Sequence, residues 1–461
     1  MSEVEAVKVD LDLVRKFNVP GPRYTSYPPA THFTEEFDRG EWERHVGNNN
    51  ETADRDLSLY FHLPFCESLC WFCGCTTVIT TVQDKSRVYL EYLEKEMDLM
   101  GGRIHSDRQV AQLHLGGGTP TFLTAEEILH LGKLVKDRFK IRPDMEAGVE
   151  VDPRRLTEEK VQALAEVGFN RASMGVQDNN AKVQVAVHRI QPFEMTAQTV
   201  EWVRKHGFES VNIDLIYGLP HQTVETFEKT LDEVLTLKPD RFAVFSYAHV
   251  PWIKPAQKIL TDDILPSAEV KLELLKLTIE KLSANGYRYI GMDHFSREDD
   301  ELTVAQQEKT LQRNFQGYST KGGVDIYAFG MSSISQAADI YWQNRKELTD
   351  YYADIDAGRL PLSKAYILTA EDGIRRQTIM RLMCDLELDF AAMSSVLGLD
   401  FEGHFAAELA SLDDLEADGL VERQPGKVVV TEIGRLFIRI IAMRFDEYLI
   451  AGKEGRFSKA I

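Results

Sequence analysis

The sequence predicts an α/β chain built as a parallel (β/α) part-barrel, with an N-terminal arm and a mostly helical C-terminal domain. Three observations predict it. Strand-like runs and amphipathic helical segments alternate roughly seven times between residues 57 and 292. The chemically unusual residues fall just past those strand-like runs. Beyond about Asp300 the alternation stops.

The strands are expected at Leu57–Leu63, Val110–Leu115, Ala147–Val151, Arg171–Val176, Val211–Tyr217, Phe242–Ala248 and Tyr287–Met292. Between them, apolar residues recur with a period near 3.6 over Ser86–Met100, Ala125–Phe139, Thr157–Val167, Glu194–His206, Val224–Leu237 and Ala268–Asn285. In such barrels the active residues sit at the C-terminal strand ends. Cysteines follow the first expected strand here, and Gly116-Gly117-Gly118-Thr119-Pro120 follows the second. Glu150 and Asp152 end the third, Gln177 ends the fourth, and Asp214 lies on the fifth. The expected organisation is an arm over residues 1–55, the barrel over 56–300, a connecting or covering segment over 301–363 and a helical domain over 364–461. The last ends in a β-like pair around Leu420–Val430, as in a small winged-helix module.

Hydrophobic residues make up 43% of 461 and the formal charge is −20. A sizeable core is therefore available, and a nucleic-acid-binding chain is disfavoured, since those present a basic face. The apolar runs are too short to span a membrane. The acidic start, MSEVEAVKVD, has no apolar signal region, so a cytoplasmic location is expected.

Four of the five cysteines, Cys66, Cys70, Cys73 and Cys75, lie within ten residues, and Cys384 stands alone in a helical stretch as an expected core residue. Such tight clustering in a cytosolic chain points to metal rather than disulfides. The CxxxCxxC spacing of Cys66, Cys70 and Cys73 offers three thiolates on one loop, enough for three irons of a cubane and leaving the fourth open. The competing assignment is structural zinc with Cys75 as fourth ligand, although zinc loops favour separated CxxC pairs.

CxxxCxxC after the first strand of a βα barrel resembles the radical S-adenosylmethionine (SAM) superfamily, and GGGTP after the second strengthens the resemblance. Over nearly the whole chain the match is narrower. GPRYTSYP, LYFHLPFCESLCWFCGC, LHLGGGTPT, VEVDPR, SMGVQD, NIDLIYGLP, FSYAHVP, GMDHF and RNFQGY, in that order, resemble the oxygen-independent coproporphyrinogen III oxidase family. The resemblance implies a radical SAM fold and a 4Fe–4S cluster on Cys66, Cys70 and Cys73. It implies oxidative decarboxylation of two propionates of coproporphyrinogen III to vinyls, giving protoporphyrinogen IX in haem synthesis, with a 5′-deoxyadenosyl radical removing the β-hydrogen. It also implies two SAM molecules in one site. Tyr60, Phe72, Gly117, Glu150 and Ile334 would line the one on the cluster; Gly118, Thr119, Gln177, Arg189, Asp214 and Ala248 would line the second. Cys75 would touch substrate or the second SAM, or pack as a small core residue. Arg23 and Arg313 are candidates for meeting substrate carboxylates. An electron donor is required, and a monomer is expected.

Two further functions compete with this reading. One is a haem chaperone that shares the cluster; such relatives typically lack the second cysteine of CGC, the GPRYTSYP arm and RNFQGY, all present here. The other is a zinc-stabilised interaction protein. The arm combines a turn at Gly21-Pro22 with Arg23, Tyr24 and Tyr27. It is expected to fold back over the barrel mouth and exclude water from the radical; the competing expectation is that it packs outside the barrel.

Overall fold

The computed structural model describes residues 9–450. The strands expected from alternation form, and the helices between them cover the outer face. These are β1 (Leu57–Leu63), α1 (Asp84–Gly101), β2 (Gln109–Gly117), α2 (Ala125–Arg138), β3 (Lys140–Val151), α3 (Glu158–Val167), β4 (Arg171–Gln177), α4 (Phe193–Lys205), β5 (Ser210–Tyr217), α5 (Val224–Thr236), β6 (Arg241–Ser246) and α6 (Ala268–Ala284). Local chemistry sets the helix ends. Thr124 and Glu127 form a capping box at the start of α2, and Gly168 closes α3 in the left-handed region at φ 114°. The buried stripe Ile128, Leu131, Leu134 and Val135 seats α2 on the sheet.

Six strands, β1 to β6, run parallel in chain order. The seventh expected strand departs from the pattern. Tyr287–Gly291 (β7) pairs antiparallel with His294–Arg297 (β8), and β8 in turn pairs antiparallel with β6. A two-residue turn leaves no room for the crossover a parallel pairing needs, so the hairpin is antiparallel.

The parallel strand on the other side of β1 comes from beyond residue 300, where no strand was expected. Residues Asp325–Phe329 (β11) pair parallel with β1. Ile334–Gln336 (β12), Ile340–Asn344 (β13) and Leu362–Ile367 (β14) extend the sheet antiparallel to its edge. Arg108, just before β2, pins β11 at 2.6 Å through Asp325, both side chains fully buried. Between β8 and β11, the hairpin of β9 (Gln312–Asn314) and β10 (Gly317–Ser319) closes the end of the barrel opposite the cysteines. Ser319 Oγ accepts from Gln112 of β2 at 2.8 Å, and Gln316 donates to Ser58 of β1 at 3.4 Å. RNFQGY is the sequence of this plug.

The C-terminal part holds α7 (Ala370–Asp385), α8 (Phe390–Leu397) and a three-stranded antiparallel sheet of Glu387–Asp389, Val421–Gln424 and Lys427–Val430. Cys384 is fully buried in α7, packed among Ile290, Leu302 and Leu311. The described part of the arm lies against this region. Tyr24, itself buried, donates to Asp446 at 2.8 Å, Arg439 donates to the carbonyls of Gly21 and Pro22, and the Tyr341 hydroxyl donates to the carbonyl of Tyr27. Arg23 leaves the arm toward the C-terminal end of β6, over the Phe245 ring and within 2.6 Å of Asp293. No helix among the described residues is long and apolar enough to cross a membrane.

Candidate active site

At the C-terminal ends of β1 to β5 lies a cavity of about 240 Å³. Cys66, Cys70, Cys73 and Cys75 line it, with Phe72, Gly117, Gly118, Thr119, Glu150, Gln177, Arg189 and Asp214. The cysteine loop is tied down by its backbone. Trp71 N–H donates to the Val187 carbonyl at 3.0 Å, Gln257 donates to the Phe72 carbonyl at 2.9 Å, and Lys254 donates to the Cys75 carbonyl at 2.8 Å. Anchors from two separate strand-to-helix connections, after β4 and after β6, hold the thiols in place before any ligand arrives.

The glycine run is dictated by close approach. A Cβ on Gly118 would lie 2.4 Å from the carbonyl oxygen of Pro64, so no other residue fits there. Gly117 adopts φ 117°, and its N–H donates to Glu150 at 3.1 Å. Thr119 Oγ1 sits 3.3 Å from Cys66 Sγ.

The carboxylates are arranged by alternation along the strands, whose inward residues recur every second position. Glu150 is open to the cavity yet deep in the protein. Burial pushes its carboxyl up, but His114 and the Gly117 N–H outweigh this and leave it below the usual range. Tyr60 stacks on His114 beside it, ring centroids 5.9 Å apart. Asp214 behaves oppositely. Burial and the nearby Glu150 charge push it up to about 7, against hydrogen bonds from Asn212 at 2.7 Å and Ser173 at 3.1 Å. Two neighbouring carboxyls thus differ in charge state near neutrality.

Asp152 organises the cations. It receives Arg154 at 2.6 Å and Arg189 at 3.3 Å. Burial would raise its pKa, but these two arginines hold it down at about 2. Arg189 also donates to the Gly175 carbonyl at 2.6 Å. Both guanidiniums point at Cys70 Sγ, at 3.5 Å from Arg154 and 3.6 Å from Arg189. Guanidiniums placed there can donate to the sulfur of an iron ligand. A thiol–thiol hydrogen bond from Cys75 draws Cys73 down and Cys75 up.

The thiols suit a cluster. All four line one cavity, cations stand behind one sulfur, and a hydroxyl meets another. Among the described residues no three Cys, His, Asp or Glu side chains converge on one point. Thiolates spread round a shared cavity match a body of several irons, each taking one sulfur.

Of the residues singled out from sequence, Tyr60 stands one layer below the cavity, against Glu150. Ala248, exposed just past β6, and Ile334, half-buried at the start of β12, are at the same end of the barrel but off the cavity wall. Arg23 is paired to Asp293, and Arg313 lines a different cavity altogether. Arg154 was not expected; its signal was present in VEVDPR, two residues after Asp152. His62 and Ser173, also unexpected, face inward from β1 and β4, where strand alternation could have found them.

The radical SAM superfamily model matches residues 60–234, and the HemN C-terminal domain model matches residues 368–437. An oxygen-independent coproporphyrinogen III oxidase of Salmonella typhimurium is 47% identical, over 97% of each chain. One of Synechocystis is 44% identical, over 99% of this chain and 98% of its own. The solved structure of coproporphyrinogen III oxidase from Escherichia coli, described as a radical SAM enzyme, superposes with a TM-score of 0.91 at 43% identity, covering 96% of this chain and 100% of that one.

Proposed function

The chain belongs to the oxygen-independent coproporphyrinogen III oxidase family of radical SAM enzymes, and from that premise we propose how its residues serve the reaction. It is an oxidoreductase of porphyrin synthesis that decarboxylates two propionates of coproporphyrinogen III to vinyls, yielding protoporphyrinogen IX without oxygen. The observation that carries this is the single cavity joining CxxxCxxC, the glycine run and the inward carboxylates.

Cys66, Cys70 and Cys73 would hold the 4Fe–4S cluster. When bound, cluster and SAM supply one electron and a carbon-centred radical that takes hydrogen from the propionate. The protein's own groups bind and orient. Glu150, ionised, accepts hydrogen bonds from ribose hydroxyls or an ammonium, with Tyr60, Phe72, Gly117 and Ile334 completing the place of a SAM on the cluster. Gly118, Thr119, Gln177, Arg189, Asp214 and Ala248 would line a second SAM. Arg189, already held by Asp152, turns a donor to its carboxylate. Asp214 has a proton to donate near neutral pH, where Glu150 has none. Cys75, at the cavity wall with its backbone N–H donating to Cys73 Sγ, is placed to touch substrate or the second SAM. Arg23, at the end of β6, would meet a propionate, while the described part of the arm packs on the C-terminal region and off the wall of the thiol cavity. The chain would act as a cytoplasmic monomer fed by a separate electron donor.

The test is anaerobic incubation of cluster-loaded protein with coproporphyrinogen III, SAM and a reductant. The expected product is lighter by two CO₂ and four hydrogens, with 5′-deoxyadenosine formed in a substrate-dependent manner. Unchanged porphyrinogen mass with haem bound and passed on would instead mark a chaperone.

A further inference from the structure

Each cysteine of CxxxCxxC has a hydrogen-bonding group at its sulfur, and these groups differ in charge. Cys66 Sγ has the Thr119 hydroxyl at 3.3 Å, and Cys73 Sγ accepts the Cys75 backbone N–H at 3.4 Å. Both of those groups are neutral. Cys70 Sγ, the buried one of the three, accepts from two guanidiniums, Arg154 at 3.5 Å and Arg189 at 3.6 Å. Two arginines on the one carboxylate of Asp152 leave a net positive charge behind this sulfur. Arg189 has a second duty in the function proposed above, to a SAM carboxylate. Arg154 has none.

The local sequence builds Arg154 into its place. It ends the tripeptide Asp152-Pro153-Arg154 that follows β3. Asp152 Oδ1 accepts the Arg154 backbone N–H at 3.0 Å, closing a turn over Pro153, whose ring presets one of its dihedrals. The same carboxylate accepts Nε at 3.0 Å and Nη2 at 2.6 Å. The guanidinium is thus gripped along one edge, with Nη2 turned on to Cys70. Its side chain is 16% exposed, so water and salt screen the contact little. Arg155, the next residue, is aimed elsewhere: more than half exposed, it pairs with Glu67 at 2.9 Å.

We propose that Arg154 sets the reduction potential of the cluster, by donating to the Cys70 sulfur and so favouring the reduced state. The inference rests on the cysteine ligands proposed above and goes beyond them. Reduction by the separate electron donor adds one electron, and part of the added charge falls on the ligand sulfurs. A donor aimed at such a sulfur, with net positive charge beside it, stabilises that charge and raises the potential. Thr119 and the Cys75 N–H act in the same sense on the other two sulfurs, without the charge. The consequence is that a milder donor can supply the electron that radical formation needs.

Potentiometric titration of cluster-loaded protein, followed by the paramagnetic signal of the reduced state, tests this. SAM is left out, so that a contact from Arg154 to SAM cannot move the result. At a fixed potential Arg154→Gln is expected to lower the reduced-to-oxidised ratio about tenfold, a fall in midpoint of about 59 mV for one electron. Arg154→Lys, which keeps the charge but not the planar fork, is expected to fall between the two. Arg155→Gln, which removes an equal charge one residue on, is expected to leave the midpoint in place. All three are expected to keep their iron. A wild-type midpoint in either Arg154 variant overturns the proposal. So does an equal fall in Arg155→Gln, which would make the effect one of overall charge. Iron lost from both Arg154 variants overturns it as well, since Arg154 would then serve assembly. A wild-type protein that holds no cluster would overturn the ligand assignment and this inference with it. A normal cluster indifferent to Arg154 would overturn this inference alone.

Discussion

In the thiol cavity, Arg154 and Arg189 both meet Asp152, and that carboxyl is held down at about 2 by them. Beside the β9–β10 hairpin, Arg313 and Arg376 meet no carboxylate among the described residues. The two sites share one fold and use arginine differently. Balanced charge keeps a cavity rigid and ready for a ligand that is itself near neutral, a zwitterion or a thiolate-bound cluster. An arginine without a carboxylate rests on weaker compensation, from carbonyl oxygens and an aromatic ring.

The sharpest test of the balanced site concerns its thiols. Serine at Cys66, Cys70 or Cys73 is expected to abolish both iron retention, about four per chain in the wild type, and 5′-deoxyadenosine formation. Cys384→Ser, far from the cavity in a packed cluster, is expected to keep its iron. Iron analysis and nucleoside chromatography read both, and full iron in Cys73→Ser would show the assignment to be wrong.

Next comes the charge balance itself. Asp152→Ala strands the buried Arg189 and the half-buried Arg154, and breaking a buried pair in this way costs about 3–5 kcal/mol. Arg313→Met removes a charge that meets no carboxylate among the described residues and is expected to cost under about 1 kcal/mol, or to stabilise. Urea unfolding of the two variants side by side would erase the contrast between the cavities if the losses came out equal.

The smallest effect is a pH dependence. Asp214 has its pKa raised from 3.8 to about 7 in the fold, so the native state holds this proton more tightly than the unfolded chain. Its contribution to stability is complete below about pH 4 and is lost as pH rises to about 7. Asp214→Asn, which cannot ionise, is therefore expected to gain on the wild type across that window, by on the order of a few kcal/mol at most. Unfolding midpoints at pH 4.5 and 8.5, measured without SAM, check the sign. A gain equal at both values would mean that Asp214 does not titrate there.

Much of the site was legible from order alone. CxxxCxxC, GGGT, Glu150 and Gln177 end or follow strands, Asp214 lies inward on one, and a parallel barrel brings such ends to one face. Arg154 escaped notice because its importance lies in sharing Asp152 with Arg189, 35 residues further on. A charge shared across separate loops leaves no periodic mark.

By itself, then, the sequence determined the alternation of β1 to β6, the helices that cover them and the loop that gathers three thiols. Each of these rests on local periodicity, capping or spacing, which neighbouring residues carry among themselves. Only the tertiary structure decided that Tyr287–Gly291 turns back antiparallel, that Asp325–Phe329 returns to flank β1, and that RNFQGY plugs the far end of the barrel. It also decided which arginines find carboxylates. The partners that settle these outcomes lie up to 270 residues away, as Arg55 does from Asp325, and pairing over such distances depends on which surfaces the folded core brings face to face.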